Sequence, residues 1–391
     1  MKLRSVRDLN LKGKRIFLRA DLNVPLKEGK IKDDTRIKAL LPTLNYIIEN
    51  GGFPIIASHL GRPKEKDPSL SLKPVAEHLQ NLTGKKVHFP GEVVGEKVEN
   101  SIKEMKSGEI VLLENTRFEK GEKTQDSEFL KKLKALADVY VNDAFGTAHR
   151  TEGTTYGVAF LFEERACGFL IEKEVKMLSK LVKNPEKPYI AILGGAKISD
   201  KLEVLESLIE KADILLIGGG MANTFLKAEG FEIGNSLYEK EMLEKAKEIM
   251  EKAKRLDKKI FLPEDFLISS EKPPLEVKQV QKNEVLENYY IGDIGKKTID
   301  LFLKELKKGK TIFWNGPLGI FEEEKFSKGT YEIAKGMAEV KGFKLVGGGE
   351  SVMAVERAGV SDKITHISTG GGASLEFLSE RELPGLEPLK L

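Results

Sequence analysis

Short apolar runs alternate along this chain with segments whose apolar residues recur at helical spacing. In the first half, four runs predict buried strands, at residues 15–20, 54–58, 110–113 and 139–141. Between the first two, Leu40, Leu44, Ile47 and Ile48 have the period of a helix. Strands that alternate with helices predict an α/β fold, in which a parallel sheet is built with right-handed crossovers. Ligands of such sheets bind beyond the carboxyl ends of the strands.

The second half repeats this alternation, but its strands end in glycine. The apolar runs lie at residues 189–193, 214–217, 311–314, 344–346 and 364–368. Glycine triplets follow three of them, at 218–220, 347–349 and 370–372. Glycine at a strand end lets a ligand touch the backbone and leaves N–H groups for phosphate oxygens, so the set predicts a nucleotide or polyphosphate crevice. No triplet fits G-x-G-x-x-G, which argues against a dinucleotide-binding domain.

The segment LGGAKISDK at 193–201 follows the first of these strands and predicts a phosphate cradle. We expect the chain to resume as a helix after its two glycines, with apolar positions Leu202, Leu205, Leu208 and Ile209, and we expect Lys197 and Lys201 to lie one helical turn apart on the same side. The segment is not a Walker A loop, because G-x-x-x-x-G-K-S/T does not occur. An ordinary strand, turn and helix with two solvated lysines remains the alternative for this segment alone.

Arginine is concentrated in the first half, and only Arg255, Arg357 and Arg381 lie beyond residue 165. His59, Arg62, Arg117 and Arg150 each follow a different predicted strand, and Arg36 lies in the loop after Pro25, so the set should converge on one crevice. Guanidinium groups bind phosphate and carboxylate bidentately, so the crevice predicts a pocket for a small polyanion. Four arginines are interpreted instead as surface ion-pair partners: Arg4, Arg7, Arg15 and Arg165.

The length of 391 residues allows two domains. A helical pattern at Ile171, Val175, Leu178 and Leu181 separates the halves. We predict an N-terminal domain over residues 1–168, an inter-domain helix over 169–184, a C-terminal domain over 185–378 and a tail over 379–391. The tail is rich in proline and glycine, and its leucines indicate that it packs against another part of the chain.

Composition narrows the function classes. Lys+Arg 64 against Asp+Glu 61 gives a net charge of +3, which does not favour nucleic acid or an anionic membrane as a partner. The single cysteine, Cys167, excludes an internal disulfide and fits a reducing compartment. No apolar run is long enough to span a bilayer, and the first residues lack a signal peptide. These observations predict a soluble cytoplasmic protein.

Seven motifs resemble those of the phosphoglycerate kinase family. In chain order they are RIFLRADLNVP at 15–25, HLGRP at 59–63, LLENTRF at 112–118, GGAKISDK at 194–201, GGGMANTF at 218–225, WNGPLGIFE at 314–322 and TGGGAS at 369–374. The resemblance covers nearly the whole chain. It implies two doubly wound, Rossmann-like lobes that close on each other, a monomer, and a C-terminal tail that returns to the N-terminal lobe. It also implies a glycolytic and gluconeogenic kinase that transfers a phosphoryl group reversibly between 1,3-bisphosphoglycerate and ADP, with Mg²⁺.

The resemblance further implies roles for individual residues. The implied 3-phosphoglycerate ligands are Asp21, Asn23, Arg36, His59, Arg62, Arg117 and Arg150. The implied catalytic residues are Arg36, Lys197 and Gly371. The implied ATP or ADP ligands are Gly195, Ala196, Lys201, Gly219, Gly292, Asn315, Pro317, Glu322, Gly348, Gly349, Glu350 and Ser351, with Glu350 also holding the metal. The chain departs from the family at Glu350-Ser351, where Asp-Thr is usual, and at Lys296, where proline is usual.

The chemistry of the implied reaction agrees with the residue types. A carboxylate that attacks ATP is already ionised near pH 7 and needs no general base. Phosphoryl transfer requires positioning and charge neutralisation, which arginine, lysine, glycine amides and a metal carboxylate supply. Two alternatives remain: a nucleotide-dependent kinase of another anionic metabolite, and a non-enzymatic two-lobed anion-binding module.

Overall fold

The computed structural model describes residues 1–391, which fold into two compact units. The first unit comprises residues 1–176 and 382–391, and the second comprises residues 177–381. The division falls inside one helix, Phe169–Val182, which the sequence analysis treated as a separate segment. No helix combines the length and the apolar content that a membrane span requires.

The first unit is built on a six-stranded parallel sheet. Its strands are β1 (Arg15–Arg19), β2 (Leu26–Lys27), β3 (Lys30–Ile31), β4 (Phe53–Ala57), β5 (Val87–His88), β6 (Ile110–Leu112), β7 (Val139–Asn142) and β8 (Arg165–Cys167). The sheet has the order β5-β6-β4-β1-β7-β8, and β2 and β3 form a separate antiparallel hairpin. The helices are α1 (Thr35–Glu49), α2 (Lys73–Thr83), α3 (Glu96–Glu104), α4 (Lys120–Thr124), α5 (Ser127–Ala135) and α6 (Phe169–Val182).

The C-terminal residues 382–391 complete this first unit. The N–H of Arg4 donates to the carbonyl of Leu389 at 2.9 Å, and that of Gly385 donates to the carbonyl of Ala148 at 2.7 Å. The guanidinium of Arg165 donates to the carbonyl of Pro388 at 2.6 Å. Leu386 and Leu389 are each only 1% exposed, so the tail contributes apolar surface as well as hydrogen bonds to the unit.

The second unit contains a parallel sheet with the strand order of a doubly wound nucleotide-binding fold. Its strands are β9 (Tyr189–Leu193), β10 (Ile214–Ile217), β11 (Lys259–Phe261), β12 (Asp265–Ser269), β13 (Lys278–Gln281), β14 (Tyr290–Ile294), β15 (Thr311–Asn315), β16 (Phe343–Gly347) and β17 (His366–Ile367). The parallel sheet has the order β11-β10-β9-β15-β16-β17. Because the chain order reverses between β9 and β15, these strands flank the topological switch point, where ligands of such folds bind.

Seven helices belong to the second unit: α7 (Leu202–Lys211), α8 (Gly219–Ala228), α9 (Leu243–Arg255), α10 (Lys296–Leu306), α11 (Lys328–Glu339), α12 (Gly349–Arg357) and α13 (Gly372–Leu378). The strands β9, β10 and β15 are fully buried along their length, as expected for a parallel sheet covered on both faces. The predicted α/β class with two doubly wound parallel sheets is confirmed. The sequence analysis missed a small antiparallel sheet of order β13-β12-β14, inserted between β11 and β15.

The helix predicted from Leu202, Leu205, Leu208 and Ile209 is present as α7, but the prediction that helical structure already includes Lys197 is wrong. The chain continues without regular structure to Ile198, makes one 3₁₀ turn at Ser199–Lys201, and begins α7 only at Leu202. Several backbone N–H groups of this segment donate to residues far along the chain and not to carbonyls of a local helix. Those of Gly194 and Gly195 donate to the carbonyls of Asn315 and Pro317. The carboxylate of Glu239 accepts the N–H of Ile198 at 2.7 Å. Lys197 and Lys201 are therefore not one helical turn apart.

Candidate functional site

In the first unit, four arginines surround one buried histidine beyond the strand ends. His59 follows β4 and is 4% exposed. Burial, together with the positive charges of the arginines, holds the pKa of its imidazole well below the usual value. The four charges belong to Arg19, Arg117, Arg36 and Arg150. The predicted convergence of Arg36, Arg117 and Arg150 near His59 is thus present in the structure, and we call these four arginines with His59 the arginine site.

Arg19 is the member of the arginine site that the sequence analysis missed. It ends β1 and is fully buried, and its Nε donates to Oγ1 of Thr154 at 2.8 Å. Its Nη2 lies 3.3 Å from Nδ1 of His59. Because a guanidinium can only donate, Nδ1 accepts this hydrogen bond and the imidazole proton resides on Nε2. The only available signal in the sequence was an arginine inside an apolar strand, where a charged side chain is unusual.

A buried carboxylate balances part of this charge. Glu122 is completely buried. Its carboxylate accepts hydrogen bonds from Oγ1 of Thr154 at 2.6 Å and from the backbone N–H of Thr154 at 3.2 Å. Burial raises the pKa of Glu122, while the charge of Arg19 and the Thr154 hydroxyl counteract that rise. Thr154 therefore connects Arg19 to Glu122, and the connection holds the Arg19 guanidinium in one orientation.

Asp21 and Asn23 hold other parts of the site in place. Nη1 of Arg36 donates to Oδ1 of Asp21 at 3.2 Å and to the carbonyl of Asn23 at 2.8 Å. Oδ1 of Asn23 accepts the N–H of Gly61 at 2.9 Å, which connects the loop after β1 to the HLGRP loop after β4. Both side chains thus already have partners within the protein.

The remaining predicted ligands differ in how far they are already engaged. Arg117 donates to the carbonyl of Gly61 at 2.6 Å and to Oε1 of Glu152 at 2.7 Å. Arg62 is exposed and makes no side-chain hydrogen bond or ion pair, and Arg150 is half-buried with no side-chain hydrogen bond. Arg150, whose charge acts on His59, and Arg62, three residues after His59 in the chain, therefore have unused donors, and such donors can hold a small polyanion.

In the second unit, a cleft of about 240 Å³ opens at the switch point between β9 and β15. Seven of the residues assigned from the resemblance line it: Gly195, Ala196, Gly219, Gly292, Pro317, Glu322 and Glu350. Close backbone approach explains the glycines at its edge. A Cβ on Gly194 would lie 2.0 Å from the carbonyl oxygen of Pro317. A Cβ on Gly219, whose φ is +66°, would lie 2.8 Å from the same oxygen.

The cleft also has an apolar wall that was not predicted. It consists of Leu237 and of Phe266, Tyr290 and Ile291 from the missed antiparallel sheet. Lys272 also lines the cleft, with its Nζ 4.7 Å from the centre of the Tyr290 ring. Gly292 allows Phe326 to pack closely, since a Cβ would lie 2.3 Å from that ring. A short, largely polar strand such as β13 carries too little apolar pattern to reveal this sheet in advance.

The two lysines of the GGAKISDK segment have different environments. Lys201 is half-buried, and its Nζ donates to the carbonyls of Gly194 at 2.6 Å and Asn315 at 3.3 Å. Burial lowers the pKa of Lys201 to about 8, although the carboxylates of Glu350 and Asp200 act in the opposite direction. Lys197 is exposed and has no hydrogen bond or ion pair. The ammonium group of Lys201 is therefore held by the carbonyls of the glycine turns, whereas that of Lys197 has no partner in the protein and is free to bind a ligand.

Several predicted nucleotide ligands support the cleft without lining it. Nδ2 of Asn315 donates to the carbonyl of Gly347 at 2.9 Å, and Oγ of Ser351 accepts the N–H of Gly316 at 2.5 Å. Gly348 directly precedes α12, Gly349 is its first residue, and Gly371 precedes α13 beyond the end of β17. These residues belong to the carboxyl edge of the same sheet. The side chains of Asn315 and Ser351 already form hydrogen bonds that hold its loops in place.

One carboxylate at the cleft suits a metal that is bound mainly by phosphate. The chain contains no group of three or more His, Cys, Asp or Glu that could hold an ion by itself. Glu350 lines the cleft in the first turn of α12 and is exposed. Mg²⁺ commonly uses one or two carboxylates with substrate phosphates and water, so this donor set fits Mg²⁺ that arrives with a nucleotide.

Comparisons with known proteins show which family the chain belongs to. Residues 6–381 match the family model described as phosphoglycerate kinase. A phosphoglycerate kinase of Clostridium tetani is 49% identical over 391 residues, covering 99% of this chain and 97% of that protein. A phosphoglycerate kinase of Thermosipho africanus is 50% identical over 388 residues, covering 98% of this chain and 96% of that protein. The solved phosphoglycerate kinase from Coxiella burnetii has a TM-score of 0.88 at 39% identity, covering 99% of this chain and 98% of that one. The resemblance noted in the sequence is confirmed, and the chain belongs to the phosphoglycerate kinase family, a family of glycolytic phosphotransferases.

Proposed function

We propose that this protein transfers a phosphoryl group reversibly between 1,3-bisphosphoglycerate and ADP, giving 3-phosphoglycerate and ATP. The observation that carries the proposal is the pair of unlike sites. One unit presents cationic groups around His59, and the other presents a cleft that is lined by glycine turns and by an apolar wall. A small polyanion and a nucleotide are the ligands whose chemistry matches these two sites.

The acid substrate is assigned to the arginine site. Arg150 of this site and the exposed Arg62 of the HLGRP loop supply the guanidinium groups that the protein leaves unpaired, and the charge of Arg117 adds to theirs. His59 is neutral because its pKa is well below the usual value, so its Nε2 can donate a hydrogen bond to the substrate without adding charge. Asp21 and Asn23 act mainly by holding Arg36 and the loop at Gly61. Arg36 then neutralises the carboxylate end of the substrate.

The nucleotide is assigned to the cleft of the second unit. Its phosphates would lie against the glycine turns and Lys201, its ribose near Glu322, and its base against the apolar wall. Lys201 contributes a cation close to the sheet edge, where the positive ends of helices α8 and α12 also favour negative charge. We assign Lys197, Arg36 and Gly371 to the transfer step, since Lys197 has no competing partner in the protein.

Magnesium is assigned to Glu350 and the nucleotide phosphates. A bound Mg²⁺ neutralises charge on the phosphates and orients them. Glu350 has one more methylene than the aspartate usual in the family, and its exposed side chain leaves room for a bridging water. Ser351 is committed to the Gly316 N–H, so Glu350 is the residue of this pair that remains able to reach the ion.

The reaction itself sets the remaining requirements. The carboxylate of 3-phosphoglycerate attacks the γ-phosphorus of ATP, a bond to phosphorus forms, and the bond to ADP breaks, with no proton transfer. The two ligands must come into contact and water must be excluded, so we propose that the two units close as a hinge. We further propose that the protein acts as a cytoplasmic monomer.

An assay of ATP consumption in the presence of Mg²⁺ tests the proposal. We expect a rate that saturates with 3-phosphoglycerate and is negligible without it. If another phosphorylated acid replaces 3-phosphoglycerate as the better substrate, the protein is a kinase of that metabolite. If ATP neither binds nor is consumed with any acid, the protein is an anion-binding module instead.

A further inference from the structure

One side chain of the nucleotide cleft has a polar atom that the protein leaves without a partner. Asn223, on α8, lines the cleft and is 3% exposed. Its Nδ2 donates to the carbonyl of Leu237 at 3.0 Å. Its Oδ1 is buried and has no hydrogen-bond partner. Buried amide oxygens are nearly always hydrogen-bonded, so this exception needs an explanation.

The orientation of the amide is determined by its neighbour. The carbonyl of Leu237 is an acceptor, so the amide must turn its NH₂ group toward it. With the amide reversed, two oxygens would face each other and both would lack a donor. Oδ1 is therefore the atom left for a partner, and that partner must be a hydrogen-bond donor.

The surroundings indicate which part of a nucleotide would supply this donor. Leu237, to which Asn223 is bonded, belongs to the apolar wall of the cleft with Phe266 and Ile291. Glu350 and the glycine turns lie among the other lining residues and suit phosphate. A flat, largely apolar group with an amino substituent matches the wall and the unpaired oxygen together.

We propose that Asn223 selects the nucleobase, with its Oδ1 accepting a hydrogen bond from the exocyclic amino group of adenine. This inference rests on the proposed nucleotide site in the second unit. Hypoxanthine carries a carbonyl in place of that amino group, and purine carries a hydrogen. Neither can donate there, so both leave Oδ1 unpaired, and hypoxanthine adds a repulsive contact between two oxygens.

The binding of three nucleotides to the unaltered protein tests the inference by calorimetry. The ligands are ADP, IDP and the 5′-diphosphate of purine riboside, which share the same ribose and phosphates. We expect purine riboside diphosphate to bind about tenfold more weakly than ADP, the size expected for one hydrogen bond to a buried acceptor. We expect IDP to bind more weakly still. Equal binding of ADP and purine riboside diphosphate would overturn the inference.

Two matched variants separate base selection from support of the Leu237 loop. Asn223→Leu keeps the volume but removes the acceptor, so the ratio between purine riboside diphosphate and ADP should fall to near one. Asn235→Leu makes the same change at another asparagine that lines the cleft and is exposed, and it should keep the ratio of the unaltered protein. A purely structural role would weaken all three ligands alike in Asn223→Leu and keep the ratio, which would also overturn the inference.

The same measurements separate this inference from the proposed function. If ADP binds but shows no preference over the other two, the nucleotide site stands and the role of Asn223 is refuted. If none of the three binds, the proposed nucleotide site is refuted and the inference with it. The comparison made on the unaltered protein decides the matter even if Asn223→Leu does not fold.

Discussion

Nη2 of Arg117 donates to Oε1 of Glu152 at 2.7 Å, and only 6% and 10% of these two side chains are exposed. Nε of Arg117 and Oε2 of Glu152 are buried without hydrogen-bond partners. A residue predicted to bind the substrate anion thus already faces an internal carboxylate. A bound anion would interact with Arg117 in competition with Glu152. The negative charge of Glu152 therefore weakens the attraction between Arg117 and the anion.

Replacing this carboxylate should therefore strengthen acid binding. In Glu152→Gln the amide oxygen still accepts from Arg117, but the negative charge is gone. We expect 3-phosphoglycerate to bind about 3- to 10-fold more tightly, because one nearby like charge has been removed. Calorimetry measures the change. Glu128→Gln removes the same charge from an exposed position paired with Lys131 and should have no effect, and weaker binding in Glu152→Gln would contradict our view of the pair.

Lys201 should take up a proton when nucleotide binds at mildly alkaline pH. Burial lowers the pKa of its ammonium to about 8 in the free protein. At pH 8.5 about three-quarters of the molecules then have a neutral Lys201, whereas at pH 6.5 nearly all are charged. Phosphate raises this pKa, so on ADP binding Lys201 should contribute an uptake approaching that fraction of a proton at pH 8.5 and almost none at pH 6.5, in addition to any proton that the ADP phosphate itself exchanges.

Calorimetry in buffers of different ionisation enthalpy measures this uptake. Lys201→Met lacks the titrating group, and any ADP binding that it retains should occur without the pH-dependent uptake. A constant proton count from pH 6.5 to 8.5 in the unaltered protein would mean that the phosphates do not approach Lys201.

Lys197 should act on the transfer step more than on binding. Its side chain is exposed and unpaired, so removing it costs little stability, and its charge becomes most effective when water leaves the reacting groups. We expect Lys197→Ala to lower kcat by about 10²–10³, with smaller changes in KM. Lys201→Ala should instead raise KM for ATP. Lys240→Ala, another exposed lysine of the second unit, is the control, and the reverse pattern would exchange the roles of the two lysines.

Glu350 should determine the magnesium requirement. Its carboxylate lines the cleft in the first turn of α12, next to the glycine turns assigned to the phosphates. We expect Glu350→Ala to raise the Mg²⁺ concentration needed for half-maximal rate severalfold or more. Glu356→Ala removes an exposed carboxylate from the same helix and should leave the requirement unchanged. An unaltered requirement in Glu350→Ala would assign the ion to another group.

Features that local periodicity controls were predictable from the sequence. The strands β1 and β9 are apolar runs bounded by turn residues, and each lies within a residue of its predicted position. The failure after Gly195 has a different origin, because its N–H and that of Ile198 donate to partners far along the chain, Pro317 and Glu239. Arg19 and Asn223 were missed for the same reason, since their importance depends on burial and on partners that pattern does not reveal.

Arg62 offers the most direct test of the assignment of the two ligands to two units. Its side chain is exposed and has no partner, so Arg62→Ala should fold normally and change only what the guanidinium binds. In calorimetry, we expect 3-phosphoglycerate binding to weaken by about 2–5 kcal/mol, the cost of losing a charge-assisted pair, with ATP affinity almost unchanged. An equal loss of affinity for both ligands, or no loss for 3-phosphoglycerate, would contradict the assignment.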